Sequence, residues 1–145
     1  MIYGNDSKTG NEEMTYNCDI TPKEGKYFVQ FPDIPNAITL GSTKEDALFM
    51  AGDVLNGILA SHLDNGYPIS EPKYTDGYPV EVSPKVAFAI ELRKARENHT
   101  QKEVAEKAGM SYQQYQRLEN PHNTNPTLET LYKLQKVFNR PFLAL

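Results

Sequence analysis

A single cysteine, Cys18, in 145 residues excludes any internal disulfide, so burial and hydrogen bonding must hold the fold together. That usage fits a reducing compartment, and a cytoplasmic location is expected. No uninterrupted apolar run reaches the length of a membrane span and no basic-then-apolar signal opens the chain, so no membrane partner is expected. There is no glycine-rich phosphate loop. The three histidines, His62, His99 and His122, share no ligand-type spacing with one another or with Cys18, so neither a metal nor a cofactor is expected. Cys18 alternates with core-type positions and reads as a buried, inert thiol.

What is present is unevenly charged. Residues 1–79 carry five basic and twelve acidic side chains, net −7, whereas residues 80–145 carry ten and seven, net +3. A basic half is drawn to phosphate; an acidic half suits a basic protein surface, or simply keeps the chain soluble. The length fits two small domains. Between about residues 64 and 79, glycines, prolines and polar residues mark a linker or long connecting loop, in which Tyr67, Tyr74 and Tyr78 are expected to pack. Residues 1–13 are polar and unpatterned and read as a flexible extension.

The basic half holds the clearest motif. Thr100 with Glu103, and Ser111 with Gln114, fit two capping boxes, and Gly109 between them suits a left-handed helix end. Val104, Ala105, Ala108, Tyr115 and Leu118 recur at helical spacing and should face inward. Tyr112, Gln113, Gln116 and Arg117 remain on the outer face of the second helix, with no acid before Glu119. Glutamine can pair with adenine and arginine with guanine, whereas an acid there would repel phosphate. Asn125, Pro126 and Thr127 then offer a cap and a breaker ahead of a packing helix, with Leu128, Leu131, Leu134 and Phe138 inward.

Residues 101–119 and 126–138 resemble the Cro/repressor-type helix-turn-helix family, with Gln101, Ala105, Gly109 and Glu119 at its pattern positions. The resemblance implies that Gln101 and Ser111 touch phosphate and that Tyr112, Gln113, Gln116 and Arg117 face base edges. It also implies an ion pair from Glu119 to a basic residue of the preceding helix, with Lys94 or Arg93 as candidates.

The acidic half reads strand, strand, strand, helix. Tyr16, Cys18 and Ile20 alternate with polar residues; Lys23-Glu24-Gly25 turns the chain; Tyr27, Val29 and Phe31 form the second inward set. Pro32-Asp33-Ile34-Pro35-Asn36 is expected to break the second strand, leaving a short third strand over Ala37 to Leu40. Ser42 with Glu45 is expected to cap a long helix whose inner stripe is Ala47, Ala51, Val54, Leu55, Ile58 and Leu59. Val80-Glu81-Val82 is a candidate closing strand, and Ser83-Pro84 a helix start.

The run Tyr27 to Pro35, the short strand, Gly41-Ser42-Thr43 and the alanine-rich helix are similar to the HicB antitoxin family. That resemblance implies an α+β chain: a partial ribonuclease-H-like βββαβ domain over residues 14–82, joined to an all-α helix-turn-helix domain over 83–145. It further implies an antitoxin that binds a basic, mRNA-cleaving HicA-type toxin and represses its own operon by binding operator DNA as a homodimer or higher oligomer. The apolar tail Pro141-Phe142-Leu143-Ala144-Leu145 is a candidate dimer surface. Tyr27, Asp33, Glu45 and Asp46 are the candidate toxin contacts, chosen for acidity and for the break after the second strand. Two other classes remain open: a stand-alone regulator with a ligand-sensing front domain, and a nuclease using clustered carboxylates such as Asp19 and Asp33. Nothing in the sequence makes those acids converge, so binding without catalysis is expected.

Overall fold

The computed structural model describes residues 14–142. The chain divides into two compact units, one spanning Met14–Val86 and one continuing from Ala87. The extension expected over residues 1–13 and the last three residues of the apolar tail lie outside the described residues.

The first unit is α+β. Strands β1 (Thr15–Lys23), β2 (Lys26–Phe31) and β3 (Ile34–Gly41) are followed by helix α1 (Lys44–Asp64) and strand β4 (Tyr78–Glu81). All pairings are antiparallel and the order is β3-β2-β1-β4. Glu24 and Gly25 form the two-residue turn after β1, both with positive φ (51° and 77°), the geometry whose twist matches paired strands. β3 begins three residues earlier than the sequence suggested. Only Pro32 and Asp33 interrupt the chain, and Pro35 is tolerated because β3 is an edge strand. β4 likewise starts at Tyr78, with Pro79 on the other edge.

Alternation in the strands and a four-residue repeat in α1 meet in one core. Tyr16, Cys18, Val29, Phe31 and Ile34 pack with Ala47, Ala51, Leu55 and Leu59, all at most 3% exposed. Leu55 and Leu59 each contribute about 1.5–3 kcal/mol by leaving water. Val54 and Ile58 are only half-buried, so the stripe is narrower than expected. The cap of α1 also sits one residue later than expected. Thr43 Oγ1 accepts from the Asp46 backbone N–H (3.0 Å), and Asp46 in turn accepts from Ser42 N–H (2.9 Å). Adjacent hydroxyls and adjacent acids satisfy the same spacing in two registers, and the local geometry selects the second.

The segment between α1 and β4 is pinned to the sheet. Asp33 accepts from the backbone N–H groups of Lys73 and Tyr74 (both 2.9 Å), the Tyr74 hydroxyl donates to Asp19, and Asn17 donates to the Asp76 carbonyl (2.7 Å). The hydrogen bond to Asp19 pushes the Tyr74 phenol up to about 12.

The second unit is helical. The division falls within α2 (Pro84–Arg96), which starts on a proline whose missing N–H costs nothing at that position. α3 (Gln101–Ala108), α4 (Tyr112–Leu118) and α5 (Leu128–Phe138) follow. Leu92, Val104, Ala105, Tyr115, Leu118 and Leu134 form its core, flanked by Phe88, Met110, Val137, Phe138 and Phe142. Both expected capping boxes form, and Gly109 adopts the left-handed conformation (φ 69°) between α3 and α4. α5 departs from expectation. Its N-cap is Thr127 rather than Asn125, and Leu128 is 72% exposed while Leu131 and Leu134 are buried.

Glu119 pairs with Arg96, not with Arg93 or Lys94. The guanidinium closes on the carboxylate through two contacts, Nε to Oε2 at 2.7 Å and Nη2 to Oε1 at 3.0 Å. Gln101 Nε2 adds a third at 3.1 Å, and the phenol of Tyr115 is buried in the same core and shifted upward chiefly by desolvation.

Two substitutions test this packing. A Cβ at Gly41 would lie 2.3 Å from the Ala47 backbone nitrogen, so Gly41→Ala forces α1 away from β3. Urea unfolding should show a loss of about 1–3 kcal/mol. Arg96→Ala leaves a largely buried carboxylate unpaired and should cost about 3–5 kcal/mol, with Arg96→Lys between it and wild type. Equal stability of Arg96→Ala and wild type would show that the pair does not hold the unit together.

Candidate nucleic-acid interface and acidic docking face

The helix-turn-helix leaves one surface of α4 free by construction. With Tyr115 and Leu118 buried, Gln113, Gln116 and Arg117 are exposed and Tyr112 is half-exposed. The Gln116 amide donates to the Tyr112 hydroxyl (3.1 Å), tying two of the four together and leaving the Gln116 carbonyl and the Tyr112 O–H directed to other partners. Ser111 Oγ accepts from Gln114 N–H (3.1 Å) and the Ser111 N–H donates to Gln114 Oε1 (2.8 Å). The serine hydroxyl proton remains available to a phosphate. Gln101 gives one amide hydrogen to Glu119 and keeps another.

Lys102 was not among the expected site residues. Its ammonium lies over the Tyr112 ring, 5.4 Å from the centroid, placing a positive charge beside the α4 face. In sequence the two residues are on different helices, and only the turn at Gly109 brings them together. Nothing in the spacing of Lys102 alone distinguishes it from a solvated lysine.

The four acidic-half candidates separate by environment. Glu45 is exposed in the first turn of α1, and Tyr27 is half-buried on β2 opposite Gly41. Asp33 and Asp46 each accept internal hydrogen bonds, the first from the loop before β4 and the second from the α1 cap. Met14–Val86 carries five basic and ten acidic side chains, so its surface potential is negative whichever of these residues makes contact.

Among the described residues, no group of three or more histidine, cysteine, aspartate or glutamate side chains is placed to hold a metal, and no helix is long and apolar enough to cross a membrane. His62 is half-buried on α1 and packs edge-on against Tyr67 (5.9 Å), whereas His99 and His122 are exposed. Cys18 is fully buried, and desolvation, with Asp19 nearby, pushes its thiol up to about 11, which disfavours a nucleophilic thiolate.

Comparison with known proteins matches both halves. The HicB-like antitoxin family of bacterial toxin–antitoxin systems matches residues 15–91, and a helix-turn-helix family matches residues 90–145. Antitoxin HicB 1 of Photorhabdus laumondii subsp. laumondii is 34% identical over 113 residues, covering 74% of this chain and 71% of the relative. Antitoxin HicB of Escherichia coli K12 is 33% identical over 115 residues, covering 76% and 83%. With a four-stranded sheet and helix where the first family matches and a capped helix-turn-helix where the second does, this chain belongs to the HicB-like antitoxin family and carries a C-terminal helix-turn-helix DNA-binding domain.

Proposed function

We propose that this protein neutralises a small, basic, mRNA-cleaving toxin of the HicA type by direct binding, and represses its own operon by binding operator DNA as a homodimer in the cytoplasm. The observation that carries the DNA half is the outward face of α4: Gln113, Gln116 and Arg117 stand free of acids on a helix anchored by its own capping box and by the Arg96–Glu119 pair. Tyr112, Gln113, Gln116 and Arg117 read base edges; Gln101, Ser111 and Lys102 hold phosphates.

The toxin half rests on family membership and on charge. A basic RNA-cleaving protein carries a positive face for its substrate, and the net −5 of Met14–Val86 competes with RNA for it. The proposed toxin contacts are Tyr27, Asp33, Glu45 and Asp46, of which Glu45 is exposed and the other three are half-buried. The toxin-binding module is residues 14–82 and the DNA-binding module residues 83–145.

Each half has its own measurement. In operator binding, Gln113→Ala and Arg117→Ala should each weaken affinity by about 1–3 kcal/mol and relax sequence preference, whereas Lys102→Ala should weaken all sequences alike and reduce the salt slope by about 1. Unchanged affinity in Gln113→Ala and Arg117→Ala would remove α4 as the reading helix. For the toxin half, expression of the small adjacent reading frame should arrest growth, and co-expression of this protein should restore growth and yield a stable complex. A harmless neighbour that fails to co-purify would leave the DNA-binding half standing and the antitoxin half refuted.

A further inference from the structure

Helix α1 turns one line of residues outward. The sheet takes every fourth residue of one set, Ala47, Ala51, Leu55 and Leu59, and solvent takes every fourth residue of another, Glu45, Phe49, Asp53 and Gly57. Phe49 is 73% exposed, more than any other large apolar side chain among the described residues. A carboxylate stands one helical turn before it and another one turn after. A single exposed apolar residue is ordinary on a protein surface, so the meaning of Phe49 rests on what shares its line.

Gly57 shares it. This glycine lies well inside the helix, where it costs stability relative to alanine. Its φ is not positive, and a Cβ added there would meet no atom within 4 Å, so neither backbone geometry nor internal packing requires it. Gly41, by contrast, is crowded by the Ala47 backbone. What an exposed helical glycine does provide is a notch, through which another chain can approach the helix closely.

The charge of the helix identifies the kind of partner. α1 carries four carboxylates and one lysine. That lysine, Lys44, sits over the Tyr78 ring, 4.6 Å from its centroid, and Asp46 is engaged in the cap, which leaves Glu45 and Asp53 as the exposed carboxylates beside Phe49. Such a face repels nucleic acid and repels a second copy of this net −5 unit, and it attracts a basic protein. Aromatic anchors ringed by polar residues are where protein interfaces concentrate their binding energy.

We propose that the outward line of α1 is the face on which a basic protein docks, with Phe49 as its anchor and Gly57 as its notch. Phe49 enters an apolar pocket of the partner whose rim carries lysine or arginine opposite Glu45 and Asp53. This deepens the antitoxin reading and rests on it, the basic partner being the toxin.

Full-length variants titrated with the purified product of the small adjacent reading frame test the face. Phe49→Ala should weaken binding at least tenfold. Gly57→Gln should also weaken it at least tenfold, while unfolding in urea at or above the wild-type midpoint, because glutamine favours a helix more than glycine does. Glu45→Gln combined with Asp53→Asn should slow association and flatten its salt dependence. Tyr132→Ala, which removes an exposed aromatic from α5, should bind as wild type does. If wild type forms the complex and either Phe49→Ala or Gly57→Gln binds as tightly, the proposal is overturned and the antitoxin reading stands. If wild type forms no complex, the antitoxin reading falls and the proposal with it. A lower particle mass for Phe49→Ala than for wild type in the absence of the toxin would assign the face to a second copy, and would overturn the proposal as well.

Discussion

A seven-residue helix has too few internal hydrogen bonds to hold its own direction, so the outward face of α4 depends on how Glu119, immediately beyond its last turn, is gripped. Arg96 of α2 closes on that carboxylate through two nitrogens, Gln101 of α3 adds a third donor, and Glu119 itself caps the end of α4. Three helices are therefore referred to one anion. A planar guanidinium on a carboxylate fixes orientation as well as distance, which a lysine at position 96 would not. The pair also turns the charge of Glu119 inward and compensates it, so the outer face of α4 remains free of acids.

Much of this architecture was legible because it is local. Capping boxes, the glycine turn and the inward sets of α3 and α4 depend on residues three or four apart, and each appears in the structure as the spacing implied. Legibility failed where the decision was non-local. The partner of Glu119 lies 23 residues away, and the candidates raised from the sequence were Lys94 and Arg93, whereas Arg96, in the same last turn of α2, makes the pair. Pro35 looked like a breaker because the sequence does not reveal that β3 lies at the sheet edge, where a missing N–H is harmless. Leu128 fitted the apolar period of α5, yet it occupies the first helical position and faces solvent. Lys102 could not be assigned to the α4 surface until the turn had placed it over Tyr112.

The acids of the first unit illustrate the same limit with a functional consequence. Asp19 and Asp33 are the residues on which a metal-dependent nuclease would depend, since such chemistry needs carboxylate oxygens free to share two cations. Here Asp19 accepts from the Tyr74 hydroxyl, and one oxygen of Asp33 takes two backbone N–H groups from the segment leading to β4. The bonds to Asp33 satisfy backbone donors that no strand or helix serves, and the bond to Asp19 satisfies the Tyr74 hydroxyl, so each carboxylate has a structural reason to be present. Their role is to hold a long connection against the sheet, allowing β4 to return and pair with β1. The acidity of this half therefore has two components: carboxylates engaged in building the fold, and exposed ones such as Glu45 that set its potential toward a partner.

That separation bears on how one small chain can carry an acidic stretch and a basic one. Residues 14–86 are net −5 and residues 87–145 net +3, and each stretch engages some of its charges within its own fold: Asp33 accepts backbone N–H groups, and Arg96 pairs with Glu119. What remains exposed on α4 is mostly polar rather than charged, with Arg117 as its one cation. Under the proposed reading, the pairing of these glutamines with base edges would depend on geometry more than on net charge. On the proposed assignment, affinity from phosphate contacts and specificity from base contacts would be carried by different residues, so a rise in salt would weaken the first more than the second.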